Sequence, residues 1–117
     1  MSEWTIYHNP RCSKSRQTLQ LLEDNGVEPT VVLYLEAPPT RAQLITLLSK
    51  LKLSPRELLR KGEDEYKALD LANPDLEDEE LLDAMVAHPK LIERPIVVRG
   101  GKAVLGRPPE NVLTLID

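Results

Sequence analysis

The sequence predicts an α/β fold: a β-α-β unit, a helical middle, then a closing β-β-α segment. Three observations carry this. The first 35 residues read in turn as strand, helix and strand. Residues 95–105 hold two short apolar runs around Gly100-Gly101. The stretch between them opens its segments with helix-start signals.

Residues 4–8, Trp-Thr-Ile-Tyr-His, are aromatic and β-branched and read as a strand, which Asn9-Pro10 ends. A helix follows from about Ser13 to Asn25, with Leu19 and Leu22 on one face and Gly26 as its stop. Residues 30–35, Thr-Val-Val-Leu-Tyr-Leu, form a nearly continuous apolar run, as in a strand covered on both faces. A helical crossover makes these two strands parallel. Thr40 and Gln43 match a capping box, and Leu44, Leu47, Leu48 and Leu51 follow at helical spacing. Ser54-Pro55-Arg56-Glu57 is a second box with proline at the first helical position. A further helix runs from Glu77 to Ala87 and stops before His88-Pro89. Its acidic start, Asp75 and Glu77 to Glu80, suits a helix N-terminus and reads as a solvated face. Residues 95–99 and 102–105 flank Gly100-Gly101 as a hairpin, and Arg107-Pro108-Pro109-Glu110 starts a last helix reaching Ile116. Two parallel strands plus an antiparallel hairpin among helices is the thioredoxin-like (glutaredoxin-type) layout, βαβ…ββα. Here it carries an inserted helical lobe over roughly residues 40–90 of a single domain, 1–117.

Composition narrows the function. A chain of 117 residues is one domain's worth, and 41% hydrophobic with 29% charged residues can bury a core and stay soluble. No apolar run is long enough to span a bilayer and no signal-peptide pattern opens the chain. With 15 Lys+Arg against 19 Asp+Glu the net charge is −4, so neither nucleic acid nor an anionic membrane is an expected partner. The four aromatics, Trp4, Tyr7, Tyr34 and Tyr66, offer little stacking surface for bases. The single cysteine excludes an internal disulfide, a CxxC pair and a cysteine-built zinc site, and it fits the reducing cytoplasm.

That cysteine, Cys12, stands where the first strand passes into the first helix. Free N–H groups and the positive end of the helix favour an anion there, so a thiolate is stabilised. His8, Arg11, Lys14 and Arg16 surround it, and residues 8–16 contain no acid. The result is a local +3 patch, with His neutral, in an acidic chain. A lone cysteine is often a small buried hydrophobe, but cationic and polar flanks favour a reactive thiolate and an anionic substrate. Spacing excludes two rivals. A phosphatase-type loop needs arginine at position 18, which is Thr18, and a thioredoxin dithiol needs cysteine at position 15, which is Ser15. The C-x-x-S site must therefore borrow its resolving thiol from outside. Ser15 either donates to the Cys12 sulfur or is an ordinary first-turn serine. His8 either assists the thiolate as a cation or caps the strand end.

Residues 8–16, His-Asn-Pro-Arg-Cys-Ser-Lys-Ser-Arg, resemble the glutathione/glutaredoxin-linked arsenate reductases, the ArsC family, whose members have a thioredoxin fold with an inserted helical region. Tyr34-Leu35-Glu36-Ala37-Pro38-Pro39-Thr40, Leu91-Ile92-Glu93-Arg94-Pro95-Ile96-Val97-Val98 and Gly106-Arg107-Pro108-Pro109-Glu110 extend the likeness along the chain. It implies Cys12 as the nucleophile, with His8 and Ser15 beside it, and Arg60, Arg94 and Arg107 as the residues that hold the tetrahedral oxyanion. It makes the bond before Pro95 cis. It implies reduction of arsenate to arsenite, glutathione as co-substrate, glutaredoxin as partner, and no tightly bound cofactor or metal. Ser13-Lys14 departs from the Gly-Thr of well-studied members, and the shorter length resembles the chromosomal branch. Three other readings stand beside it. One is a glutathione-dependent thiol oxidoreductase that does not act on arsenate. Another is an adaptor that binds RNA polymerase, whose relatives carry a C-x-x-C absent here. The third is an iron–sulfur monothiol glutaredoxin, whose Gly-Phe after the cysteine is missing.

Overall fold

The computed structural model describes residues 3–116. The helical stretch Pro38–Glu93 forms one compact unit, and the residues flanking it form the other.

The flanking residues build a four-stranded sheet in the order β2-β1-β3-β4, from β1 (Trp4–His8), β2 (Thr30–Leu33), β3 (Ile96–Arg99) and β4 (Lys102–Leu105). β1 and β2 are parallel, with Ile6 opposite Val31; β3 runs antiparallel to both β1 and β4, with Ile6 opposite Val97 and Val97 opposite Val104. The alternation along β1 buries Trp4, Ile6 and His8 on one face. Ile6 and Val97 join Trp4, Leu22, Val112 and Leu115 in the core beneath the sheet. Leu22 comes from helix α1 (Ser13–Asp24), and Val112 and Leu115 from the closing segment Pro109–Leu115, which packs on α1 and β4. α1 ends where Gly26 takes φ +79° and Val27 N–H returns to the Leu22 carbonyl at 2.9 Å, the glycine stop expected from sequence.

Two expectations change here. The run 30–35 is not a strand covered on both faces. β2 is a sheet edge of four residues, with Val31 44% and Leu33 37% exposed. An apolar run reports burial only if the strand lies inside the sheet, and pairing order is not a local property. The closing segment winds as a 3₁₀ helix rather than an α-helix. Pro109 opens it, and its bonds span three residues, as from Asn111 N–H to Pro108 and from Ile116 N–H to Leu113.

In the second unit, α2 (Arg41–Leu51) carries the Thr40/Gln43 capping box, with bonds of 3.1 and 2.9 Å. α3 (Pro55–Leu58) carries the Ser54/Glu57 box, and α5 (Asp78–Ala87) has Glu77 as its N-cap. Leu44, Leu47, Leu58, Leu81, Met85 and Leu91 are buried there. α4 (Asp64–Ala68) was not anticipated; its five residues bury none of their number and so leave no hydrophobic period to read. Among the described residues no helix is long and apolar enough to cross a membrane.

The edge position of β2 has a measurable consequence. Val31→Thr is expected to change stability by no more than about 0.5 kcal/mol, as for an exposed surface substitution. Ile6→Ala, one strand inward, is expected to cost about 2–5 kcal/mol. Urea denaturation of the two variants measures the difference, and equal losses would contradict the strand order.

Candidate active site

The turn between β1 and α1 is built from side chains that hold their own backbone. Asn9 Oδ1 accepts from Arg11 N–H at 3.0 Å, and the Asn9 carbonyl accepts from Cys12 N–H at 3.0 Å. Arg16, one turn into α1, donates from Nη1 to the Pro10 carbonyl at 3.0 Å. These bonds leave Cys12 as the N-cap of α1, with extended φ and ψ of −94° and 123°. Its side chain makes no capping bond and the first turn contains no acid, so no carboxylate of that turn competes for the positive end of the helix.

Ser15 and His8 form the support under this turn. The Ser15 hydroxyl is fully buried and accepts from Asn9 N–H at 3.0 Å. His8 Nδ1 lies 2.6 Å from the same oxygen. Either the hydroxyl donates to Nδ1 or the ring N–H donates to the hydroxyl, according to the histidine tautomer. Burial, and then the charge of Arg16, hold the His8 pKa below its ordinary value. That direction disfavours the cationic form of His8. Ser15 braces His8 against the turn, its hydroxyl meeting both His8 Nδ1 and Asn9 N–H. A cleft of about 250 Å³ opens beside the turn, between Pro10, Arg11 and the exposed Leu35.

Arg94 and Arg107 belong to the same unit as Cys12. Arg94 precedes a cis peptide bond to Pro95, as the family resemblance implies, and the bond from Arg107 to Pro108 is also cis. Arg107 donates from Nε to the Arg94 carbonyl at 2.7 Å and from Nη2 to the Cys12 sulfur at 3.6 Å. The guanidinium thus touches the Cys12 sulfur, and its direction is set by the backbone of the other arginine. Arg60 belongs to the Pro38–Glu93 unit, where Glu63 and Glu93 flank it at 3.1 and 3.4 Å. Among the described residues no cluster of three or more His, Cys, Asp or Glu could hold a metal ion.

Two residues in this site escaped the sequence reading. Asn9 was read only as a strand stop, although an Asx turn before a helix start is a legible signal. Gly106 was read only as part of a motif. A Cβ at Gly106 would lie 2.6 Å from Thr18 Oγ1 and 2.8 Å from Pro95 Cγ, so the residue has room only for hydrogen.

Two outcomes follow from this geometry. Gly106→Ala is expected to destabilise the protein by about 1–3 kcal/mol through overpacking, measured by urea denaturation. It should also slow reaction of Cys12 with iodoacetamide, because Arg107 follows directly. His8 gives a pH dependence. Its folded pKa is depressed, so between the unfolded value, about 6.5, and the lower folded value the unfolded chain takes up a proton that the folded protein refuses. Stability is therefore full above pH 6.5 and falls as pH drops through that window. Thermal unfolding should show this fall in wild type and a smaller one in His8→Gln.

Residues 7–115 match the ArsC family. Over 112 residues the chain is 62% identical to the uncharacterized protein YfgD of Escherichia coli (strain K12), covering 95% of this chain and 94% of that one. It is 48% identical over 116 residues to an arsenate reductase of Escherichia coli, covering 99% and 82%. The solved structure of an arsenate reductase from Vibrio cholerae superposes with a TM-score of 0.94 at 51% identity, covering 97% of both chains. On a match that runs nearly from end to end and includes the turn that presents Cys12, the chain belongs to the ArsC family.

Proposed function

We propose that this chain reduces arsenate to arsenite, with Cys12 as nucleophile and with glutathione and glutaredoxin in the cytoplasm as the external thiols. The observation that carries the reading is the bond from Arg107 Nη2 to the Cys12 sulfur. A guanidinium so placed favours the thiolate before reaction and faces the oxygens of an oxyanion that approaches the sulfur.

In this scheme the thiolate attacks arsenic and an S–As bond forms. One arsenate oxygen leaves as water after taking up protons from solvent. Arg94 and Arg107, with Arg60 by family likeness, neutralise the remaining oxygens. The chain has no second cysteine, so two external thiols supply the two electrons that take arsenic from the +5 to the +3 state. Glutathione attacks the adduct, and glutaredoxin resolves the mixed species. The paired external thiols end as a disulfide, arsenite leaves, and Cys12 returns to its thiolate. The cleft beside Pro10 and Arg11 gives a small thiol a route to the turn. His8 and Ser15 support the turn that carries Cys12.

The test is arsenate-dependent NADPH consumption with glutathione, glutaredoxin and glutathione reductase present. Wild type should turn over and Cys12→Ser should not. Arg107→Ala should lower kcat by about 10²–10³-fold, as for loss of one preorganised donor to developing charge. No turnover from wild type, with Cys12 still alkylating fast, would replace this reading with a thiol oxidoreductase of another substrate.

A further inference from the structure

Arg60 is held by a short antiparallel pairing inside the Pro38–Glu93 unit. Leu59 bridges Ile92, Arg60 N–H donates to the Leu91 carbonyl at 2.8 Å, and Glu93 N–H donates to the Leu58 carbonyl at 2.9 Å. This pairing lays Glu93 along Arg60, with Glu93 Oε1 3.4 Å from Nε. Glu63, three residues after Arg60, accepts from Nη1 at 3.1 Å. All three side chains keep 22–25% of their surface exposed. One guanidinium here faces two carboxylates. Nη2 has no partner among the described residues, so donors remain for an incoming oxyanion, but they lie next to two negative charges.

We propose that Glu63 is a specificity-determining residue, selecting oxyanions that still carry a proton. This rests on the assignment of Arg60 to the oxyanion. An ionised carboxylate only accepts hydrogen bonds. Arsenate and phosphate near neutral pH retain a hydroxyl that can donate to Glu63 while another oxygen takes the free donors of Arg60. Sulfate has no proton to give, so at Glu63 it meets repulsion. Nη2 shares one edge of the guanidinium with each carboxylate's nitrogen: Glu63, on Nη1, flanks the end-on edge and Glu93, on Nε, the side-on edge. The pair rejects the wrong anion by a like charge rather than by size.

The test is equilibrium binding of inorganic phosphate and of sulfate to the whole protein at pH 7, by titration calorimetry at matched ionic strength. Wild type should bind phosphate at least about tenfold more tightly than sulfate. Glu63→Gln, with its fold checked by circular dichroism, should erase most of that preference by tightening sulfate, and Glu63→Asp should retain it. Equal binding of the two anions by wild type, or an unchanged ratio in Glu63→Gln, would overturn the proposal. Phosphate binding undiminished in Arg60→Ala, or no phosphate binding by wild type, would instead overturn the assignment of Arg60 on which it rests.

Discussion

The close approach of Thr18 to Gly106 is the constraint on which the reactive end of the sheet depends. Thr18 is fully buried on the inner side of α1, and its hydroxyl proton is shared between the Lys14 carbonyl at 2.8 Å and the Gly106 carbonyl at 3.2 Å. Gly106 N–H donates in turn to the Pro95 carbonyl at 2.9 Å. One residue without a side chain therefore joins three segments. α1 carries Cys12 at its start, Arg94 precedes Pro95, and Arg107 follows Gly106. A side chain at position 106 would push α1 from the loops that bear both arginines, and close-packed interiors pass such shifts on rather than absorb them.

The turn before α1 answers a second problem, which is how to leave a sulfur at a helix N-terminus without losing the turn itself. A serine or aspartate N-cap would hold the first N–H groups with its own side chain. Cysteine does this poorly, so the structure moves the task to neighbours. Asn9 closes the turn, Arg16 holds Pro10, and Ser15 braces Asn9 from below. His8 Nδ1, 2.6 Å from the buried Ser15 hydroxyl, ties that brace to β1. The burial that encloses this contact also depresses the His8 pKa.

Legibility followed the range of the forces. The parallel pair β1 and β2, the Gly100-Gly101 hairpin and both threonine and serine caps were readable, because each rests on residues within a few positions. The placement of β2 at the edge was not, since Val31 and Leu33 look the same in an inner strand. The environment of Cys12 was readable as far as charge and helix position go, because both are local. The partner of Ser15 was not, since a first-turn serine can reach a sulfur or a histidine and only the path of β1 decides. Convergence of Arg107 on Cys12 spans 95 positions and entered only through family likeness.

The arginines show why residue identity alone underdetermines a binding site. Arg107 directs Nε to a backbone carbonyl and Nη2 to sulfur. A carbonyl fixes the plane of the guanidinium without carrying a formal charge against it. Lysine could not reproduce this, because a single ammonium has no second, rigidly placed donor. Arg60 is fixed by carboxylates instead, and the same fork geometry arrives with its charge already opposed. In the function proposed above, equal residues thus make unequal demands on an incoming oxyanion. Beside a carbonyl, an oxygen needs only negative charge; beside a carboxylate, it needs a proton to offer as well.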